Sequence, residues 1–471
     1  MYTQFFFDDA RLFERENLKR VYGEPKLLGV LEDEEFKTSW PAVWAIKTPE
    51  NFVRLLYMAK SIKTQKIYAF TALSKDYVNF EKEELGLDSN LPKGALFELP
   101  QGVELTFLLL DTLAEEREKY KLFYTRFNKQ DFNVVGGLKV SSDLIHWQDK
   151  DGYENWNNGA EPMVGMVKNV REDVHIITIR PTWGERRIGY KTTKDFKTFS
   201  NYSFCMQPDS LDNPLEEIYG LPFEYFKGVY IGFPHVYGDL KSVISAKYAS
   251  GTIKPQLAYS INGKNWQRSL REPFIKPTRA LKKGLGFEPK MVWLNSFTEN
   301  EKGEIFIYAG VTQNEHGVEW SKPTGKIGVF KLRKDGFIGL KTKGVKTSTL
   351  ATREFLYNGG EITFNIKAKK ATIAVFESKN GDKGVANLLA QNQLIKGFSH
   401  KDCTSFSGDC TDYSFRFKER DLLELKGKTI VFEIKIRRGE IYSISGDLIP
   451  MMNTESERYR QLNLLPAERT F

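Results

Sequence analysis

The chain has 471 residues, 41% of them hydrophobic and 28% charged, with a net charge of +8. That is the composition of a soluble globular protein with room for two or three domains. The basic excess is spread thinly with no basic block, so nucleic acid is not an expected partner, and no apolar run reaches membrane-spanning length.

The N-terminal phrase FFFDDARLF has early acids and no basic region before an apolar core, so it does not read as a leader. The expected location is the cytoplasm, or outside the cell if a leader has already been removed. From there the chain reads almost entirely as short apolar strands with turn residues between them, and helical periodicity is nearly absent. WPAVWAI begins at Trp40, and LSKDYVNF then carries Ser74, Asp76 and Phe80. ELTFLLLDTL begins at Glu104, and SSDLIHW carries Ser141, Asp143 and Trp147. EPMVGMVKN begins at Glu161, and TTKDFKTF carries Thr193, Asp195 and Phe199. EIYGLPFEYF begins at Glu217, and YSINGKNW carries Ser260, Asn262 and Trp266. EPKMVWLNSF begins at Glu288, and KLRKDGFIGL offers a looser last copy at Asp335, Gly336 and Phe337.

The recurring phrase is therefore a hydroxyl residue, Asp or Asn two positions on, and an aromatic four positions after that. Asp and Asn bond their own backbone to shape a turn, and the aromatic tucks beneath the next strand. A unit of about four strands repeated this way is a propeller blade. The expected fold is all-β: a five-bladed β-propeller over residues 1–341, a β-sandwich over 342–449, where strands such as TIVFEIKIRRGEIYSIS alternate, and a polar tail over 450–471. The three cysteines, Cys205, Cys403 and Cys410, lack metal-ligand spacing and are expected as free thiols.

The phrase SSDLIHW, the repeat and the C-terminal strands together resemble the five-bladed propeller glycosidases, glycoside hydrolase families 32 and 43. The nearest resemblance is to an uncharacterised family-32-like group. It rests on FFFDDARLF, on IGVFKLRKDGFIGL and on GFSHKDCTSFSGDC, and it covers roughly residues 5–445. The family-32 phrases W-M-N-D-P-N-G, R-D-P and E-C-P are absent, which argues against ordinary sucrose or fructan cleavage. The resemblance implies a glycosidase with three carboxylates on different blades, acting on an oligosaccharide or polysaccharide, furanosidic bonds included.

The residues opening successive inner strands converge on the mouth of a propeller. Glu104, Glu161, Glu217 and Glu288 then form a ring of carboxylates, and glycoside cleavage needs two, one protonated and one ionised. Glu217 is the expected general acid, with Glu161 and Glu288 as partners and Glu104 ranked below them. Asp9, beside Asp8, is the N-terminal candidate for nucleophile or base. Trp40, Trp156 and Trp183 are candidate sugar platforms, and Arg187, Arg186 and His235 candidate hydroxyl or carboxylate contacts. Each has a core or surface role as its plain alternative, and so does His316. No cofactor and no catalytic metal are expected, because the five histidines are scattered; a calcium ion in the channel is left open. Other readings are a non-catalytic carbohydrate-binding propeller, an interaction scaffold, and a sugar phosphorylase or transglycosidase, for which Arg186, Arg187 and Arg279 would be the cations. The chain is expected as a monomer or homodimer.

Overall fold

A computed structural model describes residues 1–38, 43–127, 134–154, 156, 161–169, 172–180, 186–238, 251–319, 322–378, 392–462. It is nearly all β, and it divides into two compact units: Glu24–Leu332, and Met1–Gly23 with Arg333–Phe471.

The first unit is propeller-like, built of small sheets whose strands follow one another up and down. Val43–Lys47, Val53–Ser61, Ile67–Ser74 and Ala95–Leu99 lie in one sheet. Val103–Leu110, Tyr120–Phe127, Val134–Ser141 and Gln148–Lys150 make the next. Glu161–Asn169, Val174–Arg180, Ile188–Thr193 and Ser203–Met206 make the third. Phe223–Phe226, Val229–Gly232, Ala258–Ser260 and Gln267–Arg268 make the fourth. The last sheet runs Met291–Glu299, Ile305–Thr312, Lys326–Leu332, and is closed by Lys26–Leu31 from the start of the unit. Three short strands, Glu217–Ile218, His235–Tyr237 and Ile253–Pro255, extend its other edge.

The first strands of these sheets are neighbours in turn: 43–47 meets 103–110, then 161–169, 223–226 and 291–299, which returns to 43–47. Most residues of Val43–Lys47, Val103–Leu110 and Met291–Glu299 are buried. Trp44, Leu105, Phe107, Ile179, Trp156 and Trp293 belong to one buried cluster.

The recurring phrase is the same turn in four places. Ser141 Oγ bonds Asp143 Oδ1 at 3.0 Å, and that oxygen also accepts the N–H groups of Ile145 (2.9 Å) and His146 (2.8 Å). Leu144 takes the left-handed conformation, φ 69°, and its carbonyl accepts from Trp147 Nε1 at 3.0 Å. Asp76 and Asp195 receive the corresponding backbone bonds, followed by left-handed Tyr77 and Phe196. Asn262 does the same, with Gly263 left-handed and its carbonyl accepting from Trp266 Nε1. Despite partial burial, the hydrogen bonds from His146, Ile145 and Ser141 hold the Asp143 carboxyl down at about 2. Asp143→Ala removes these acceptors, so a loss of roughly 1–2 kcal/mol is expected in chemical denaturation.

The fifth copy is different. Asp335 belongs to the other unit, is buried, and accepts from Ser443 Oγ at 3.0 Å, so it ties two strands together instead of shaping the repeated turn.

That second unit does not begin at residue 342. It contains the N-terminal strands Tyr2–Gln4, Leu12–Glu16 and Leu18–Tyr22, which pair with 429–450, 347–352 and 338–342. Two long strands, Phe355–Ser378 and Thr429–Pro450, carry its nine-stranded sheet. Phe6, Phe364, Ile366, Phe398, Phe415 and Phe432 fill its core. The C-terminal tail begins as a helix, Asn453–Gln461, whose Ser456 Oγ lies 2.6 Å from Thr429 Oγ1. The cysteines are free thiols, as expected.

Candidate active site

The propeller-like unit gathers charged and aromatic side chains where strand ends meet. The segment from Glu217 is held by backbone bonds on both sides. Ile218 N–H reaches the Arg186 carbonyl (2.9 Å), Tyr219 N–H the His235 carbonyl (2.8 Å), and His235 N–H the Gly220 carbonyl (2.9 Å). Glu217 faces Arg186 twice, accepting its backbone N–H at 3.1 Å and its Nη1 at 2.6 Å. The Arg186 guanidinium lies 4.7 Å from the ring centre of Tyr237 and 5.5 Å from that of Tyr219. Arg180, at the end of strand Val174–Arg180, is buried and lies over the Tyr219 ring at 4.4 Å. Tyr219 is itself buried, with its hydroxyl 2.9 Å from His316 Nε2 and its ring edge-on to Trp293 at 5.4 Å.

Glu104, second residue of strand Val103–Leu110, is half-buried and lies within the field of Arg180. Burial pushes its carboxyl up to about 7, and the Arg180 charge opposes that only in part. The group electrostatically linked through Arg180 is therefore Glu104, Glu217, Arg186 and Tyr219. A protonatable acid and an ion-paired carboxylate can donate and accept a proton, and the buried rings of Tyr219 and Tyr237 pack against the two arginines.

The expected residues fall in several places. Glu217 and Arg186 are in this cluster, as is Glu104, which the sequence ranked last among the ring of acids. Glu161 is opposite Arg180 in the strand pairing, and its side chain is outside the described residues, as are Trp40 and Trp183. Glu288 is not brought to the cluster: it is 57% exposed and paired with Lys282 at 2.8 Å, which lowers its carboxyl pKa. Asp9 lies in the other unit, an exposed carboxylate bonded to Arg15 and Arg20. Its neighbour Asp8 caps the Ala10 N–H at 2.9 Å. Trp156 is a core residue, 1% exposed, with its Nε1 donating to the Tyr124 carbonyl and its ring edge-on to Phe123, so it has no face to offer a sugar. Arg187 lies over the Phe204 ring at 5.9 Å. His235 is wholly buried with Nε2 3.1 Å from the Leu294 carbonyl, and burial lowers its pKa to about 4, so it stays neutral. Arg279 is exposed at the start of the helix Arg279–Leu285, whose Leu281 and Leu285 are buried.

The equivalence of the four glutamates holds at Glu104 and Glu161, which stand at the start of inner strands. The inner strand of the fourth sheet begins at Phe223, so its acid is Glu224, whose carboxyl burial raises to about 8. Arg180, Tyr219 and Glu224 were missed by sequence reasoning. Tyr219 had a usable signal, two residues beyond Glu217 in EIYG. Among the described residues no cluster of His, Cys, Asp and Glu could hold a metal ion, and no helix is long and apolar enough to cross a membrane.

No family model and no curated protein matches the chain. Solved structures do. A glycoside hydrolase is 12% identical, with 67% of this chain and 92% of that one covered and a TM-score of 0.43. An exo-β-1,3-galactanase from Phanerochaete chrysosporium, solved with galactose, is 6% identical over 90% of this chain and 99% of that one, TM-score 0.40. A β-1,2-mannobiose phosphorylase from Listeria innocua is 12% identical over 70% of this chain and 96% of that one, TM-score 0.41.

Proposed function

We propose that the chain cleaves glycosidic bonds of an oligosaccharide or polysaccharide, with Glu104 as general acid and Glu217 as the second carboxylate. The observation that carries this reading is the Glu104 carboxyl, pushed up to about 7 in the same cluster as the Glu217–Arg186 ion pair. Glycoside cleavage requires one carboxyl group that keeps its proton near neutral pH and one that does not. The sequence favoured Glu217 as the acid; its 2.6 Å contact with Arg186 suits it instead to the role of the second carboxylate. Tyr219 packs against both arginines and Tyr237 against Arg186.

The same reading takes the five successive inner strands as the five blades of one propeller, closed by Lys26–Leu31 on the last. It takes the nine-stranded sheet of the other unit as an accessory β-sandwich. The cyclic order of the inner strands supports the first, and the alternation of buried and half-exposed residues along the long strands supports the second.

Hydrolysis of a panel of aryl furanosides and pyranosides by the wild type and Glu217→Gln tests the assignment. A loss of about a hundredfold or more is expected in the variant. Full activity in Glu217→Gln removes that residue from the mechanism. A wild type inactive on every member, yet able to bind oligosaccharide, favours a non-catalytic carbohydrate-binding role.

A further inference from the structure

The phrase GFSHKDC, residues 397–403, lies in the unit that contains both long strands, and the chemistry proposed above makes no use of it. Its turn is firmly held. Phe398 is wholly buried against Phe417, ring centres 4.8 Å apart, and its carbonyl accepts the Val375 N–H at 2.9 Å. Asp402 Oδ2 accepts both the N–H (3.0 Å) and the hydroxyl (2.6 Å) of Ser399. Cys403 Sγ receives the N–H of Ile373 at 3.4 Å, fixing the turn to strand Phe355–Ser378.

These anchors set His400 between a hydroxyl and a carboxylate. Its Nδ1 is 2.9 Å from Thr372 Oγ1 and its Nε2 is 2.8 Å from Glu433 Oε1. Lys435, directly opposite Thr372 in the strand pairing, places Nζ 3.2 Å from the same Glu433 oxygen. Thr372, Glu433 and Lys435 are all half-exposed.

A nucleophile within hydrogen-bond reach of a base that a third group orients is the arrangement of acyl-transfer enzymes. We propose that Thr372, His400 and Glu433 form a second active site, which hydrolyses short-chain acyl esters. Thr372 Oγ1 bonds to the ester carbonyl carbon as its proton passes to His400 Nδ1. The ester C–O bond then breaks and the alcohol leaves with that proton. Water attacks the acyl-threonine, giving one proton to His400, which returns it to Thr372 Oγ1 as the carboxylic acid departs. Glu433 holds Nε2–H and stabilises the imidazolium. The site lies on a half-exposed sheet face, which suits a group as small as acetyl.

The test is turnover of p-nitrophenyl acetate by the full chain, as wild type, Thr372→Val and Thr372→Ser, with the melting temperature of each. The expected result is turnover lost by about a hundredfold or more in Thr372→Val at unchanged melting temperature. It should be kept in Thr372→Ser, with an acetyl mass on the peptide containing residue 372 after acid quench. Equal rates for wild type and Thr372→Val, or a wild type no faster than buffer, would overturn the proposal. Thr372→Ser also separates chemistry from folding, because it restores the hydroxyl alone.

Discussion

Glu104→Gln is expected to lower glycoside turnover by about a hundredfold to ten-thousandfold, the range of a lost general acid, while making the protein more stable at alkaline pH. Both effects have one cause. The native carboxyl gives up its proton near 7 and the unfolded one near its ordinary 4.5. Between those values the unfolded chain binds fewer protons than the folded one, so stability falls as pH rises. Below 4.5 the carboxyl is neutral in both states and the penalty is absent. Above 7 the penalty is complete, roughly 3 kcal/mol by the linkage relation. Gln carries no charge at any pH, so the two proteins should unfold alike near pH 4 and diverge by that amount at pH 8. Wild-type kcat/KM should decline above about 7, as its acid loses the proton. A variant that gains stability with undiminished activity would show that Glu104 is strained for reasons unrelated to catalysis. A variant that does neither would remove the raised carboxyl itself.

Much of the fold was legible because its repeated element is local. Ser141, Asp143 and Trp147 close their turn with bonds to residues two and three positions away, so a spacing in the sequence stands for a shape. What closes the unit is not local: Lys26–Leu31 pairs with Lys326–Leu332, and nothing in either strand names the other. The same is true of residues 2–22, read as propeller and found beside the C-terminal strands. Asp335 imitated the repeated phrase, yet its partner is Ser443, far along the chain. At the site, Glu104 was visible as an acid on an apolar strand but was ranked low because no Pro marked its blade. Its raised pKa comes from what surrounds it in space, and only the fold supplies that. Arg180 carried no signal of its own in the sequence, and only the fold brings it over Tyr219.

Asp212→Ala is expected to destabilise the propeller-like unit by about 3–5 kcal/mol, the loss typical of one partner removed from a buried ion pair. Asp212 and Arg268 are 2% and 3% exposed at their side chains, joined at 2.5 Å between Oδ2 and Nη2 and at 2.7 Å between Oδ1 and Nη1. Arg271 adds a contact to Asp212 at 3.2 Å and binds Asp209 at 2.7 Å. Removing Asp212 leaves the Arg268 guanidinium desolvated with only Asp209, 3.6 Å away, as a charged partner. Replacing both partners, as Asp212→Leu with Arg268→Met, should recover much of the loss, because no buried charge is then left uncompensated. The pair also matters to the site. Asp212 anchors the loop that leads through Asn213 and Glu216 to Glu217, while Arg268 ends the fourth sheet. Loosening that anchor should therefore raise KM or lower kcat in Asp212→Ala even where the protein remains folded. Urea unfolding of the single and double variants separates the two contributions: stability restored without activity places the Asp212 anchor in the positioning of Glu217. Stability and activity restored together would mean that the loop needs only a filled core beneath it.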